Sequence, residues 1–484
     1  MTTAASGGVH DLALDRGGRH RSLRAVAICL AGAGLTLVIP FVQHVQVYTL
    51  AFLLGGCLIV PAWFDWNRGR LDVFAPLHVY GAVYFINFGV GAILTVEDPA
   101  LVAYDVHVVP FVPRALLYCL LGYLALLAGY YLPWTRHRPV SRPAEWPRGA
   151  ALLLFVGLIG LVGYLALVAW TQASWVEGSL PPGLGSLSQL APFFLFAWAL
   201  GWLVYFSGRS GRSQRLVLFC VLLPAVILIA YLTISVKSLL VALVAVPIIA
   251  RWYAQARAPW LPIAIFSLVL VFVVFPFYNT YRSYYRTDSH ADRIEQAYEN
   301  VLHSSSETYQ LLSVGTFKRR LALINSVAVV VRDVGRWVPH ANGETLFAPL
   351  ATYLVPRFVW PDKPQVELGR EFGRRFRLTT YASRKTHVAP SVPGELYWNF
   401  DLPGIIVGMA LMGLTLRWIY RRYGAEGALD PVPNAVYVVV LLTISQLEGN
   451  LAAVVVGMGR WLVLIEALRW IGRRYRLTEA GAAS

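Results

Sequence analysis

Two kinds of side chain in this sequence could do chemistry together: a crowd of guanidinium and ammonium groups, and a few carboxylates and imidazoles set among them. Residues 279–400 hold sixteen Lys or Arg and eleven Asp or Glu, a net +5. Arg282 and Arg286 stand in Tyr281-Arg-Ser-Tyr-Tyr-Arg286, and Lys318, Arg319 and Arg320 form a second cluster. Arg357 and Lys363 lie in Val355-Pro-Arg-Phe-Val-Trp-Pro-Asp-Lys-Pro364, and Arg370, Arg374, Arg375 and Arg377 follow. Guanidinium groups bind phosphate or diphosphate in bidentate fashion. Trp and Tyr interleaved with them offer faces on which sugar rings can stack. The competing reading is that these cations pair with the loop's own acids or with anionic lipid headgroups.

Lys237 stands apart, in Ile234-Ser-Val-Lys-Ser238, as the one charge between Arg215 and Arg251. A lysine there either snorkels to the membrane boundary or serves an anionic substrate. For a base, Glu395 in Pro393-Gly-Glu-Leu-Tyr-Trp-Asn399 stands first and His387 second. Either could take a proton from a sugar hydroxyl; Glu395 could instead close a salt bridge to a loop arginine. Glu448 faces the same choice, with Arg460 as its alternative partner.

Several familiar devices are missing. There is no phosphate loop of the Walker type, no Cys/His zinc spacing, no Gly-x-Ser-x-Gly and no Asp-x-Asp for a metal-bound nucleotide sugar. No metal and no cofactor is expected.

These residues need elements to position them, and composition says which kind. Of 484 residues, 57% are hydrophobic and 14% charged, against about 25% charged in soluble chains. Apolar runs long enough to cross a bilayer recur from end to end. We place about twelve spans, at 25–42, 46–64, 72–95, 114–134, 149–171, 189–207, 216–235, 238–252, 260–278, 401–419, 433–446 and 453–470. The basic N-terminus with Arg16, Arg19, Arg21 and Arg24 precedes a first helix expected to be retained. The organisation expected is a cytoplasmic tail 1–24, nine spans over 25–278, an outer loop 279–400, three spans over 401–470 and a cytoplasmic tail 471–484.

Loop charge gives this scheme an orientation. Loops 65–71, 135–148, 208–215, 251–259 and 420–432 each carry two or more Arg, whereas 96–112 and 172–188 carry Glu97, Asp98, Asp105 and Glu177 with no Lys or Arg. Positive charge collects on the cytoplasmic side, so both termini should be cytoplasmic. The net charge of +15 then follows from topology and does not call for nucleic acid. The outer loop should be helical over His290–Leu312 and Phe317–Val334 and irregular from about 340 to 400. Cys29, Cys57, Cys119 and Cys220 all lie in apolar runs, so no disulfide framework is implied.

Three segments carry a family resemblance: Gly343-Glu-Thr-Leu-Phe, the Pro-Arg-x-x-Trp-x-x-Lys-Pro element at 356–364, and Gly394-Glu-Leu-Tyr-Trp-Asn-Phe400 followed by Pro403-Gly404. With Ser235-Val-Lys237 and Tyr281-Arg282, they resemble the Wzy-type oligosaccharide repeat-unit (O-antigen) polymerases. One position departs: Asp401 stands where that family usually has glycine. The resemblance implies an all-α polytopic membrane protein, GT-C-like, with an outward catalytic loop. It implies transfer of a growing glycan from undecaprenyl diphosphate to an incoming lipid-linked repeat unit. Lys237, Arg282, Arg320 and Arg357, with Lys363 and Arg370 behind them, would hold the diphosphate, and Glu395 or His387 would be the base. A bilayer, a chain-length regulator and a flippase are the partners implied, in a bacterial cytoplasmic membrane with the loop periplasmic or extracellular. An O-antigen ligase-like transferase and a transporter are the alternatives.

Overall fold

A computed structural model describes residues 43–69, 71–102, 106–132, 150–173, 187, 190–208, 210–232, 237–255, 260–283, 290–354, 360, 368–379, 388–424, 431–445, 451–452, 454–459 and 463. Among the described residues the chain is helical and no β-sheet forms. In chain order the helices are α1 Gln43–Asn67, α2 Pro76–Glu97, α3 Val112–Tyr131, α4 Ala150–Ala173, α5 Pro192–Phe206, α6 Arg212–Leu232, α7 Lys237–Gln255 and α8 Trp260–Tyr281. They continue as α9 His290–Leu302, α10 at 306–321, α11 Ile324–Asp333, α12 Glu344–Leu354, α13 Leu368–Arg375, α14 at 392–399, α15 at 402–419 and α16 Pro431–Ile444.

Among the described residues seven helical segments are long and apolar enough to cross a membrane, and α5, α7 and α16 are shorter apolar helices. Each coincides with a span expected from hydropathy. The first expected span lies outside the described residues, and the last is described only in part. Along α8, Leu261, Ile265, Leu268 and Phe272 form an exposed apolar stripe at helical spacing. Water would not tolerate such a stripe, and lipid does. The protein is a helical membrane protein.

The chain forms two compact units. The first comprises residues up to 132, 320–343 and 369–416. Here α1, α2 and α3 pack side by side around Leu50, Leu54, Tyr84, Phe88, Leu116 and Tyr123, all buried. The Tyr84 hydroxyl donates to the Cys119 carbonyl at 2.9 Å, which satisfies it inside the bundle. Helix α15 lies against α3 with almost no side chain between them. A Cβ on Gly413 would stand 2.0 Å from the Leu126 carbonyl oxygen, and one on Gly129 would stand 2.0 Å from that of Ala410. Lipid tails give apolar helices no reason to separate from lipid, so close backbone approach is what holds such pairs.

Above this bundle sits α11, whose Ile324, Val327, Ala328 and Val330 are wholly buried. It packs on α3 and on the 106–111 turn before it. Burying each of its larger side chains contributes roughly 1.5–3 kcal/mol. Thr95 of α2 donates to the Asn325 side-chain carbonyl at 3.1 Å.

The second unit comprises 133–319, 344–368 and 417 onward. Its centre is α5, buried along Phe194, Phe196, Trp198 and Leu203 and packed by α4, α7 and α16. The Trp198 indole donates to the Leu243 carbonyl at 2.9 Å. The end of α8 is tied to α10: the Asn279 amide donates to the Leu312 carbonyl at 2.9 Å and the Thr316 hydroxyl at 2.8 Å.

The stretch 340–400 is more regular than its Pro and Gly content suggests. Helices α12, α13 and α14 all form there. Pro393 falls in the first turn of α14, where its missing N–H is not needed. Helix α13 closes on Arg377 in a left-handed conformation (φ 57°), with the Leu378 N–H on the Gly373 carbonyl at 2.8 Å. Proline and glycine here punctuate helices instead of excluding them.

Between α14 and α15 the backbone breaks at Phe400 (φ −141°, ψ 22°) and Asp401 (φ 57°, ψ −154°). The Asp401 conformation is one that only glycine enters freely, and holding another residue there costs about 1–3 kcal/mol. The Asp401 carboxylate accepts the Leu402 N–H at 2.8 Å, capping α15 and offsetting part of that cost.

Two stability outcomes follow. Gly413→Ala should lower the melting temperature of the detergent-solubilised protein, through overpacking worth about 1–3 kcal/mol, while Gly56→Ala, with nothing within 4 Å of the added carbon, should not. At the break, Asp401→Gly should unfold no earlier than wild type and Asp401→Ala earlier; the reverse order would mean that the backbone is not strained there.

Candidate functional site

Helix α14 reads Val-Pro-Gly-Glu-Leu-Tyr-Trp-Asn, and every residue of it is buried. Its sequence explains how. Ser391 turns the chain with φ 65°, and its carbonyl accepts the Glu395 N–H at 2.9 Å. Gly394 keeps the helix close to Val327 and Val330 of α11. Leu396 lies over Gly404 and Gly408 of α15, so the chain doubles back tightly after Phe400. Tyr397 stacks on Tyr118 of α3 at 5.5 Å. Trp398 meets Phe372 at 5.9 Å and Phe376 at 5.1 Å, and Arg375 covers its ring at 5.6 Å.

The turn 334–343 is stitched to the same helix. The Trp398 indole donates to the Pro339 carbonyl at 3.2 Å, and the Ala341 N–H donates to the Trp398 carbonyl at 3.0 Å. Asn399 completes the seam, with its Oδ1 accepting the Gly343 N–H at 2.8 Å and its Nδ2 donating to the Glu395 carbonyl at 2.7 Å.

Glu395 therefore sits in the interior, with no exposed surface. A carboxylate in that setting must be compensated by donors or cations, because desolvating an ion is costly. Helix α13, joined to α14 through Phe372 and Phe376, carries Arg370 and Arg374 one turn apart, each with a buried Nε. Glu371 pairs with Arg375 at 2.5 Å on the same helix. The arrangement is a buried carboxylate in a rigid cage, with guanidinium groups on the adjoining element. A carboxylate is able to accept a proton and guanidinium groups are able to bind an anion.

The residues expected from sequence divide as follows. Glu395, Arg370 and Arg320 belong to the first unit. Arg370 is half-buried on α13, whereas Arg320 is exposed near the end of α10, next to Leu321, whose carbonyl presses on Gly91 of α2. Lys237 is the first residue of α7, and Arg282 lies in the last turn of the Phe275–Ser283 helix. Both belong to the second unit. Arg357, Lys363 and His387 lie outside the described residues. Among the described residues no group of three His, Cys, Asp or Glu is assembled that could hold a metal ion.

Sequence reasoning gave no role to Asn399 or Ser391, although both stand four residues from Glu395 and so share its face. It also did not foresee that Tyr397 joins Tyr118 and Asp401. The Asp401 carboxylate and the charge of Arg114 both act on the Tyr397 hydroxyl.

Comparison with known proteins gives a family and no precedent beyond it. No curated protein and no solved structure matches the chain. Residues 73–426, most of both units, match one family throughout, and the chain belongs to that family, described as Domain of unknown function (DUF8712).

Proposed function

We propose that this protein polymerises lipid-linked oligosaccharide repeat units, as a Wzy-type, metal-independent glycosyltransferase of GT-C-like architecture. It would have about twelve spans and sit in a bacterial cytoplasmic membrane, with both termini cytoplasmic and the 279–400 loop outside. One observation carries the reading. Two of the three segments that resemble the polymerases, Gly343-Glu-Thr-Leu-Phe and Gly394–Phe400, are bonded to each other through Gly343 and Asn399. Segments far apart in sequence thus form one built feature, which chance similarity of composition would not supply. The left-handed backbone at Asp401 adds support, since the family pattern has glycine at that place.

In this reaction a hydroxyl of the incoming unit attacks the anomeric carbon of the growing glycan. A carbon–oxygen bond forms there as the bond to the diphosphate breaks, and undecaprenyl diphosphate leaves. The attacking hydroxyl's proton passes to Glu395. Lys237, Arg282, Arg320 and Arg357, with Lys363 and Arg370, are the cations assigned to the charge that develops on the diphosphate. His387 is the second choice for base. Because Glu395 is enclosed, its use as a base requires the elements over α14 to open when substrate binds, a gating step of the kind active-site loops perform.

The test is purified protein in liposomes with undecaprenyl-diphosphate repeat units. Wild type should yield a ladder of products. Glu395→Gln should lower the rate by about 100-fold or more and leave the melting temperature in place. A Glu395→Gln chain that polymerises at the wild-type rate would end the assignment of the base. Transfer to a different lipid acceptor without a ladder would mark a ligase-like enzyme, and no transfer with the native substrate would favour transport.

A further inference from the structure

The exposed apolar stripe of α8 runs up to Phe272 and Val273, and from Phe275 to Tyr281 the helix is largely buried, with α9 packed on the Phe275–Ser283 segment. Helix α10 is fastened to α8 at the top of that stripe. The Tyr309 hydroxyl donates to the Phe272 carbonyl. Segment Leu311–Gly315 packs on Leu270–Val274, and the Phe275 and Phe317 rings meet at 5.9 Å. With the bonds from Asn279 to Leu312 and Thr316, these contacts lay α10 parallel to α8, its first turn beside Phe272. Phe272 precedes Tyr281 by nine residues, about 14 Å down the helix axis. The first helices after α8 therefore descend beside the span instead of rising away from it. All of these residues belong to the second unit.

What the α9–α10 hairpin exposes at that depth is partly apolar. Tyr298 and Leu302, one turn apart on α9, are 56% and 58% exposed, and Leu311 on α10 is 58% exposed. Leu311 lies in the segment that packs beside Phe272 and Val273, so its exposed surface continues the stripe on α8 that faces lipid. Polar groups stand at the tip as well. His303 faces Glu299 at 3.2 Å, both exposed, and Ser305 caps α10 by accepting the Thr308 N–H at 3.2 Å. Water does not suit exposed leucines in a row, and hydrocarbon does not suit a carboxylate. The boundary between acyl chains and headgroups accommodates both.

We propose that the α9–α10 hairpin is embedded in the interfacial layer of the bilayer at the Tyr281 end of α8, with Tyr298, Leu302 and Leu311 seated on phospholipid acyl chains. The occupant is lipid because the surface is continuous with one that lipid already covers. The long segment after α8 is then bound to the membrane from its first helices, and does not begin as a domain standing in water. This holds whatever reaction the chain carries out.

The test uses the full chain in phosphatidylcholine nanodiscs, with a small fluorescent amino acid placed at one position at a time. Each labelled chain is first required to melt with wild type, and two hairpin positions are used so that the reading depends on neither alone. Probes at Leu302 and Leu311 should be quenched by lipid that carries a spin label near the top of its acyl chain, as strongly as a probe at Val273 in the α8 stripe, and only weakly by aqueous iodide. A probe at Arg319, which is exposed and about 15 Å farther along α10 than Tyr309, should show the reverse. Quenching by iodide and not by lipid at Leu302 and Leu311 would put the hairpin in water and overturn the proposal. Protection from both quenchers would also overturn it, since a second copy or a partner protein would then cover this surface.

Discussion

At Phe400 and Asp401 the backbone leaves the helical region twice in succession, and a helix that would have run straight on folds back over itself. Everything about the site depends on this reversal. Without it α14 would extend α15 as one long rod, and Glu395 would stand wherever the rod's end happened to lie. With it α14 is laid between α11, α13 and α15 and is buried along its length. The strain at Asp401 is held because each neighbour is fixed independently: Leu396 against Gly404 and Gly408, Tyr397 against Tyr118, and Asn399 against Gly343. A strained backbone persists only where its surroundings leave it no alternative.

The membrane imposes the rest. Inside a bilayer each backbone donor must find an acceptor within the chain, so spans are helices. Polar side chains within them settle on nearby carbonyls, as Tyr84 does on Cys119 and Trp198 on Leu243. Helix pairs then associate by shape, and the reciprocal contacts of Gly129 and Gly413 show how closely α3 and α15 approach. A site that must hold charge is excluded from such a medium. Of the described candidates, Arg320, Arg370 and Glu395 lie on α10, α13 and α14, helices that follow α8 and precede α15, whereas Lys237 opens α7 and Arg282 ends the Phe275–Ser283 helix.

Hydropathy was enough to place the spanning helices, because a run of apolar residues at span length has few other uses. The tenth span was expected to begin at 401, where the backbone breaks at Phe400 and Asp401, and the helical spacing of 317–334 reappears in α10 and α11. The region from 340 to 400 was misjudged. Its prolines and glycines read as breakers, yet Pro393 begins a helix and the glycines flank helices or admit neighbours. The depth of Glu395 was not legible either. Spacing puts Ser391, Glu395 and Asn399 on one face, but periodicity does not say whether that face meets water or protein. The Tyr118–Tyr397 stack was hidden because its partners lie on helices far apart in sequence. Asp401 gave a signal, as an aspartate where the polymerases that the sequence resembles usually have glycine, and it stands at the break in the backbone.

The central claim is that a growing glycan is moved onto each incoming lipid-linked unit, so that new units enter at the lipid-bearing end. A pulse–chase in liposomes tests this most directly. Unlabelled units are extended first, isotope-labelled units are added, and the products are cleaved from the far end by an exoglycosidase. The account predicts that label resides in the units nearest the diphosphate and is released last. Label released first, or label found only in single transferred units, would contradict it.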